Sequence, residues 1–289
     1  MREAIASATE QLAAAGVSSP EHDAKALAMH VLGLAKPSDL LLADGFDESQ
    51  AVAYLDLVAR RAQRVPLQHL TGSVGFRYIE LEVGPGVFVP RPETESVVQW
   101  AVDAIAREGW SKPLVADLCT GSGTIAFALA NEVPGATVHA VERDPDALTW
   151  TRRNAANRVA AGDPEVQLHL GSVEESLLDL DGRFDLVASN PPYVALNEAH
   201  LPDPEVVDHD PEIALFAGED GLDVIRLVEQ AARRLLKPGG LVVVEHSDRQ
   251  GESAPAVFAQ AGWAEVADHQ DLTGRDRFVT ARAPGRTQP

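Results

Sequence analysis

The stretch Val187-Ala-Ser-Asn-Pro-Pro-Tyr-Val194 ends an apolar run with an amide, two prolines and an aromatic ring. Neither proline carries an N–H for a strand ladder, so the chain is stopped and stiffened there. Asn190 brings a side-chain carbonyl and Pro191 a backbone carbonyl, two acceptors on neighbouring residues. Pro192 adds no competing donor and restricts Pro191 to extended backbone, and Tyr193 offers a flat face. Such a set suits an NH2 group on a planar carbon, either an amide or an aromatic amine. That nitrogen is a poor nucleophile because its lone pair is delocalised. Holding both of its N–H groups orients it and favours the pyramidal form that attacks carbon. For Pro-Pro alone, a turn capping a strand is the simpler reading; the rest of the chain decides between the two.

Three further features fall at strand ends, where ligands bind in open α/β sheets. Asp117-Leu-Cys-Thr-Gly-Ser-Gly123 runs from a strand into a small-residue turn and then a helix. Its glycines at 121 and 123 allow backbone to approach a ligand, and the helix start presents unpaired N–H groups. Glu142 follows the next strand, where a carboxylate can accept from both hydroxyls of a ribose. Gly171-Ser-Val173 follows the third, where an adenine ring would lie. Together these describe a pocket for a nucleoside-bearing cofactor. Gly121-Ser-Gly-Thr-Ile-Ala126 also fits the loose dinucleotide pattern with an acid about 20 residues on. Asp117, however, suits the amino end of a methionine better than a pyrophosphate, and Asn-Pro-Pro-Tyr has no role in hydride transfer. S-adenosylmethionine is the expected cofactor, S-adenosylhomocysteine the product. Catalysis is then mostly in-line positioning, which offsets on the order of 7–11 kcal/mol of barrier. No general base is required, since an N-methylated amide cation loses its proton to water.

These residues need a parallel sheet behind them. Leu114–Leu118, 137–141, 166–170, 184–188 and Leu241–Glu245 are short runs rich in Val and Leu, and helical segments 123–131, 145–161 and 222–236 lie between most of them. Strands alternating with helices give βαβ units. Gly251–Ala261 reads as another helix, and 264–269 with 277–281 as a hairpin added to the sheet. Residues 1–64 differ: Ala- and Leu-rich, with helical spacing at Ala24, Leu27, Ala28, Val31 and Leu32, and again at Val52, Leu55, Val58 and Ala59. Ser19-Pro20-Glu21 resembles a helix start with proline at its first position. The alternating stretch Phe76–Val83 reads as a hairpin. The expected organisation is a helical domain over 1–65, a β-hairpin linker over 66–92, a catalytic domain over 93–283 and a flexible tail over 284–289.

At 289 residues, 45% apolar and 24% charged, the chain has the composition of a soluble globular protein. No signal peptide and no run of about 20 apolar residues is present, so a cytoplasmic protein without membrane contact is expected. The single cysteine, Cys119, excludes a disulfide framework and a cysteine-rich zinc site. The nine histidines lack metal spacing, and His246 reads as local structure; no metal is expected. The net charge of −20 is uneven: residues 1–80 carry −3 and 81–289 carry −17. So acidic a C-terminal part is ill suited to phosphate backbones, and no direct nucleic-acid binding is expected. The stretch 197–223, with nine acids and no Lys or Arg, reads mainly as a solvated loop that would also flank the substrate entrance.

Asp117–Gly123 with Asn190–Tyr193 resembles the class I methyltransferases that modify planar nitrogens, a group that includes N6-adenine enzymes acting on nucleic acid. Phe88-Val-Pro-Arg-Pro-Glu-Thr-Glu95, Ala214-Leu-Phe-Ala-Gly-Glu-Asp-Gly-Leu222 and Asp271-Leu-Thr-Gly-Arg-Asp-Arg277 are similar to signature segments of the peptide chain release factor glutamine methyltransferases, the PrmC/HemK family. Pro66-Leu-Gln-His-Leu-Thr-Gly72 resembles that family's interdomain segment, and the helical N-terminus its release-factor-contacting domain. The resemblance spans nearly the whole chain. It implies an α/β fold: a Rossmann-like, seven-stranded class I methyltransferase domain with a small N-terminal helical domain and a β-hairpin linker. It also implies N5-methylation of the glutamine in the Gly-Gly-Gln motif of class 1 release factors, by a protein expected to be a monomer. Carried over, Asp117, Cys119, Thr120, Gly121, Ser122, Gly123, Glu142, Ser172, Val173 and Asn190 would hold S-adenosylmethionine. Asn190, Pro191, Pro192 and Tyr193 would grip the glutamine amide as catalytic and substrate-binding residues. Arg91 and Glu93 would brace the pocket's rim. Two positions depart from the family pattern: Cys119 stands where glycine is usual, and Ser172-Val173 where an acid and an aromatic are usual. Adenine contacts would then come from Val173 packing and backbone groups. The alternative, N6-adenine methylation of nucleic acid, would want Lys and Arg beyond Asn-Pro-Pro-Tyr, where this chain is acidic.

Overall fold

The alanine-rich start folds into helices because its small and apolar residues recur at helical spacing. In the computed structural model, which describes residues 1–196 and 203–285, α1 (Arg2–Ala14), α2 (Pro20–Leu32), α3 (Glu48–Ala62) and α4 (Leu67–Thr71) come first. Proline opens α2 after Ser19, whose backbone carbonyl rather than its hydroxyl accepts the first bond, from Asp23 N at 3.0 Å. Their core gathers Leu12, Ala24, Leu27, Ala28, Tyr54 and Val58. The apolar pattern of α3 turns differently from expectation. Tyr54, Val58 and Arg61 face inward, while Val52 and Leu55 are 66% and 61% exposed. The reason is Arg61, buried at 5% exposure with Asp23 at 2.8 Å, which puts the Tyr54–Val58–Arg61 stripe inside.

The chain forms two units, and the first takes in a distant piece: Met1–Ser73, Val83–Pro85 and the described residues 203–210. That last piece carries α8 (Pro204–Val207). Glu205 there bonds Arg61 Nη2 at 2.9 Å and Arg64 Nε at 2.7 Å. Burial works against its charge, but the two guanidiniums prevail and hold its carboxyl down at about 2. Asp210 is buried too. The expected solvated loop is therefore partly a packed, paired segment; its residues 197–202 lie outside the described residues, as do 286–289 of the expected tail.

In the second unit, β1 (Ser73–Phe76) and β2 (Ile79–Glu82) form a two-stranded hairpin. There follow α5 (Thr94–Glu108), β3 (Leu114–Leu118), α6 (Thr124–Glu132), β4 (Thr137–Glu142), α7 (Pro145–Ala160), β5 (Gln167–Leu170) and β6 (Phe184–Ser189). After them come α9 (Glu212–Leu215), α10 (Asp223–Leu235), β7 (Leu236–Glu245), α11 (Ser253–Gln260), β8 (Ala264–Gln270) and β9 (Asp276–Arg282). The seven-stranded sheet has the order β5-β4-β3-β6-β7-β9-β8, parallel from β5 to β7 and antiparallel at β9 and β8. Alternate residues of each strand enter opposite layers. Val115, Ala140, Leu186 and Val243 pack with α5, α6 and the hairpin; Ala116, Val141, Val187 and Val242 pack with α10 and α11. Sheets covered on both faces carry consecutive apolar residues in their strands, as Leu186-Val-Ala188 of β6 and Leu241-Val-Val-Val244 of β7 do. Among the described residues no helix is long and apolar enough to cross a membrane.

Candidate functional site

Register brings the motifs together. Leu118 lies opposite Val141 on one side and Ser189 on the other; Glu142 lies opposite Leu170, and Ser189 opposite Val244. The carboxyl ends of five parallel strands thus form one row. Successive strands run outward from β3 to β4 and β5 on one side, and from β6 to β7 on the other. The order reverses between β3 and β6, the switch point where ligands bind in such sheets. Asp117–Gly123 leaves β3 there and Asn190–Tyr193 leaves β6. Ser189 Oγ ties the two by donating to the Leu118 carbonyl at 2.6 Å.

The β3 turn is braced from within. Asp117 is 1% exposed; its Oδ2 accepts from the Thr120 hydroxyl and from Ala126 N at 3.1 Å, the first turn of α6. Its Oδ1 is buried without a partner. Burial pushes this carboxyl up to about 7, against the hydrogen bonds from Thr120 and Ala126. An acceptor left in this state fits a cationic ligand group such as the ammonium of a methionine moiety. Glu142 Oε2 accepts from Gly121 N at 2.8 Å and Oε1 from Asp144 N at 2.9 Å, so each oxygen keeps a further lone pair for ribose hydroxyls. Burial raises its pKa against those backbone bonds. The hydroxyls of Thr120 and Ser122 are used inside the turn, on Asp117 and on Thr124 at 2.8 Å respectively. Contacts from these two to a cofactor would therefore be through the backbone.

The glycines divide their roles. A Cβ on Gly123 would lie 2.0 Å from the Phe127 ring, so its absence serves packing. A Cβ on Gly121 would meet nothing within 4 Å, and this is the glycine with open space for a ligand. Cys119 has φ of +61°, the left-handed region that costs a side chain about 1–2 kcal/mol. That backbone shape accounts for glycine being usual here. Burial raises the thiol's pKa, which keeps it unreactive. At the end of β5, Ser172 Oγ accepts from Glu175 N at 3.3 Å, and Val173 packs into the layer with Leu118 and Val141.

The β6 turn is held from outside. Asn190 Nδ2 donates to Thr94 Oγ1, at the start of α5, at 3.2 Å, which turns Oδ1 the opposite way. Gln250 Nε2 donates to the Tyr193 carbonyl at 3.3 Å and the Gly221 carbonyl at 3.2 Å. Val194 N donates to the Leu215 carbonyl at 2.8 Å, and Ala217 N returns a bond to Val194 at 2.9 Å. A Cβ at Gly221 would sit 2.3 Å from the Tyr193 carbonyl. Burial raises the pKa of the Tyr193 phenol; the charges of Glu245 and Glu93 add to the shift and those of Arg277 and Arg91 oppose it. Arg91 and Glu93 thus act by charge on the β6 turn, and Arg91 lies over the Phe88 ring at 5.0 Å. Thr94, Glu245, Gln250, Thr151 and Asn154 are residues that motif reading overlooked. The last two, on α7, hold the β3 turn: Thr151 Oγ1 donates to the Gly121 carbonyl at 2.6 Å and Asn154 Nδ2 to the Ser122 carbonyl at 2.9 Å. Two of the five had a visible signal: Thr94 lies inside the Phe88–Glu95 segment, and Glu245 is a charge at the end of the apolar run Leu241-Val-Val-Val. His246 is buried and bonded through both ring nitrogens, to the Ser247 carbonyl and Asp268, each at 2.8 Å. A cavity of about 320 Å³ between α5 and strands β7 to β9 holds none of these residues.

Residues 3–72 match the PrmC N-terminal domain, and residues 112–278 match a methyltransferase domain. The release factor glutamine methyltransferase of Streptomyces coelicolor is 53% identical over 279 residues, covering 96% of each chain. That of Mycolicibacterium smegmatis is 46% identical over 291 residues, 99% of each. Among solved structures, the hMettl16 catalytic domain, in complex with MAT2A 3'UTR hairpin 6, superposes with a TM-score of 0.53 at 16% identity over 84% of both chains. This last likeness speaks for the methyltransferase fold alone. S-adenosylmethionine is the methyl donor that this fold and these relatives imply, and the orphaned Asp117 oxygen and the open Gly121 fit it. The chain belongs to the release factor glutamine methyltransferases.

Proposed function

We propose that the protein methylates N5 of the glutamine in the Gly-Gly-Gln motif of class 1 release factors. The observation that carries this reading is the Asn190 amide, fixed through Nδ2 on Thr94 with Oδ1 turned away, one residue beyond the Ser189–Leu118 link to the β3 turn. When bound, S-adenosylmethionine would supply an electrophilic sulfonium methyl, with S-adenosylhomocysteine as the product. Asp117, Gly121 and Glu142 would hold it, with backbone from the rest of Cys119–Gly123 and packing from Val173 near Ser172. Asn190 Oδ1 and the Pro191 carbonyl accept the two N–H groups of the substrate amide, and Tyr193 lies against its plane, while Pro192 keeps the turn stiff. The nitrogen lone pair forms the new N–C bond as the S–C bond breaks, its electrons staying on sulfur. The extra proton leaves to water. Most of the rate then comes from positioning.

The helical first unit is the natural receptor for the protein substrate, and the acidic second unit argues against nucleic acid. The same reading places the protein in the cytoplasm as a monomer. Methyl transfer from labelled S-adenosylmethionine tests it, with release factor, its Gln→Ala variant and duplex DNA side by side. Label is expected on the release factor alone. Label on DNA, or equal labelling of the Gln→Ala protein, contradicts the assignment.

A further inference from the structure

Glu245 is a carboxylate at the end of β7, opposite Phe278 of β9 and one residue past the Val244–Ser189 pair, hence beside the β6 turn. It is 1% exposed, and Oε2 has no hydrogen-bond partner. A buried acceptor in that state needs a reason. Thr94 and Tyr193 bring their hydroxyls near it, and Arg277, next to its strand partner Phe278, brings a charge that Asp271 holds at 3.1 Å. Thr94 is itself 2% exposed. Segments 88–95 and 271–277 therefore meet behind Asn-Pro-Pro-Tyr at this one carboxyl.

A threonine hydroxyl has a single proton, and a carboxylate only accepts. A Thr94 hydroxyl that gives its proton to Glu245 keeps Oγ1 as an acceptor, and only the Nδ2 end of the Asn190 amide can then face it, as it does at 3.2 Å. The opposite amide orientation would take the hydroxyl proton for Oδ1 and leave Glu245 without it. We propose that Glu245 and Thr94 are positioning residues: the carboxylate sets the Thr94 hydroxyl, and the hydroxyl sets the amide of Asn190 with its oxygen toward the substrate nitrogen. The Tyr193 phenol, facing the same carboxyl, has its ring fixed by the same group. Burial pushes the Glu245 carboxyl up to about 7, while Thr94, Arg277 and Tyr193 favour its ionised form against Glu93.

This inference rests on Asn190 being the amide acceptor, so the test includes Asn190→Ala. Thr94→Val keeps the shape of the side chain and removes the hydroxyl; Glu245→Met removes the carboxylate. Each is expected to lower kcat by about 10- to 100-fold, the scale of one oriented hydrogen bond. S-adenosylmethionine affinity should stay within about 3-fold and thermal melts should show folded protein. The double variant should be no worse than the worse single, since both act on one amide. Thr94→Ser should recover turnover to within about 3-fold. Wild-type turnover in Thr94→Val, additive losses in the double variant, or no recovery in Thr94→Ser overturns the proposal. If Asn190→Ala is inactive while Thr94→Val turns over normally, the positioning role alone fails; if Asn190→Ala turns over normally, the amide grip fails first.

Discussion

The two turns at the switch point, after β3 and after β6, are adjacent in space and built in opposite ways. The β3 turn bonds to itself and mainly to the elements that follow it: Asp117 to Thr120 and Ala126, Ser122 to Thr124, Gly121 to Glu142 at the end of β4 and to Thr151 of α7, and Ser122 to Asn154 of α7. The β6 turn is held by groups from remote segments, Thr94, Gln250 and the 214–222 stretch. A local loop of that kind can recur wherever a strand meets a helix, and it suits a cofactor common to many reactions. A turn fixed by remote residues carries the part particular to one substrate group. In the proposed reaction one turn binds the donor and the other holds the acceptor.

Asn190→Ala should give the largest effect and the sharpest separation. Turnover is expected to fall about 100- to 1000-fold, as for loss of one preorganised polar contact at a reacting group, with cofactor affinity nearly unchanged by calorimetry. Equal loss of both would merge the two turns into one function. Asp117→Asn should do the reverse, weakening S-adenosylmethionine by about 10- to 100-fold, the worth of a charge-assisted contact. The same carboxyl gives a pH test. Its pKa is raised to about 7 in the free protein, so acid fills it with a proton that a bound ammonium must expel. Wild-type affinity should fall about tenfold per pH unit below 7 and level off above it, while Asp117→Asn should show no such slope.

Gly123→Ala should destabilise by about 2–3 kcal/mol in urea titrations, because its Cβ would enter the Phe127 ring at 2.0 Å. Gly121→Ala carries only the cost of φ at +56°, about 1 kcal/mol, and should lose cofactor affinity more than stability. The reverse pattern would exchange the roles given to these glycines. Cys119→Gly should have the smallest effect, a gain of up to about 1 kcal/mol as left-handed strain is released, partly offset by the freer unfolded chain.

The contrast between the turns also sets how far the sequence could be read. The β3 motif is contiguous, so composition alone located it, and the alternating strands and helices were legible because each is a local pattern. Leu114–Leu118 forms as expected, and 137–141 and 184–188 each extend by one residue. The grip on Asn190 is illegible from one sequence: Thr94 and Glu245 lie 96 and 55 positions away, one brought in at the start of α5 and the other by the β6–β7 register. Helical spacing placed α3 but not its face, since a buried Arg61–Asp23 pair outweighed Val52 and Leu55. Likewise, nine acids suggested a solvated loop, while Glu205 lies against two guanidiniums.

The central claim is that the methyl group ends on a planar amide nitrogen. The most direct measurement is a proton–nitrogen correlation spectrum of release factor labelled with 15N at glutamine, before and after incubation with protein and S-adenosylmethionine. The account predicts that the paired side-chain NH2 signals of the Gly-Gly-Gln glutamine give way to a single N–H signal. Methyl incorporation with both NH2 signals intact would contradict it.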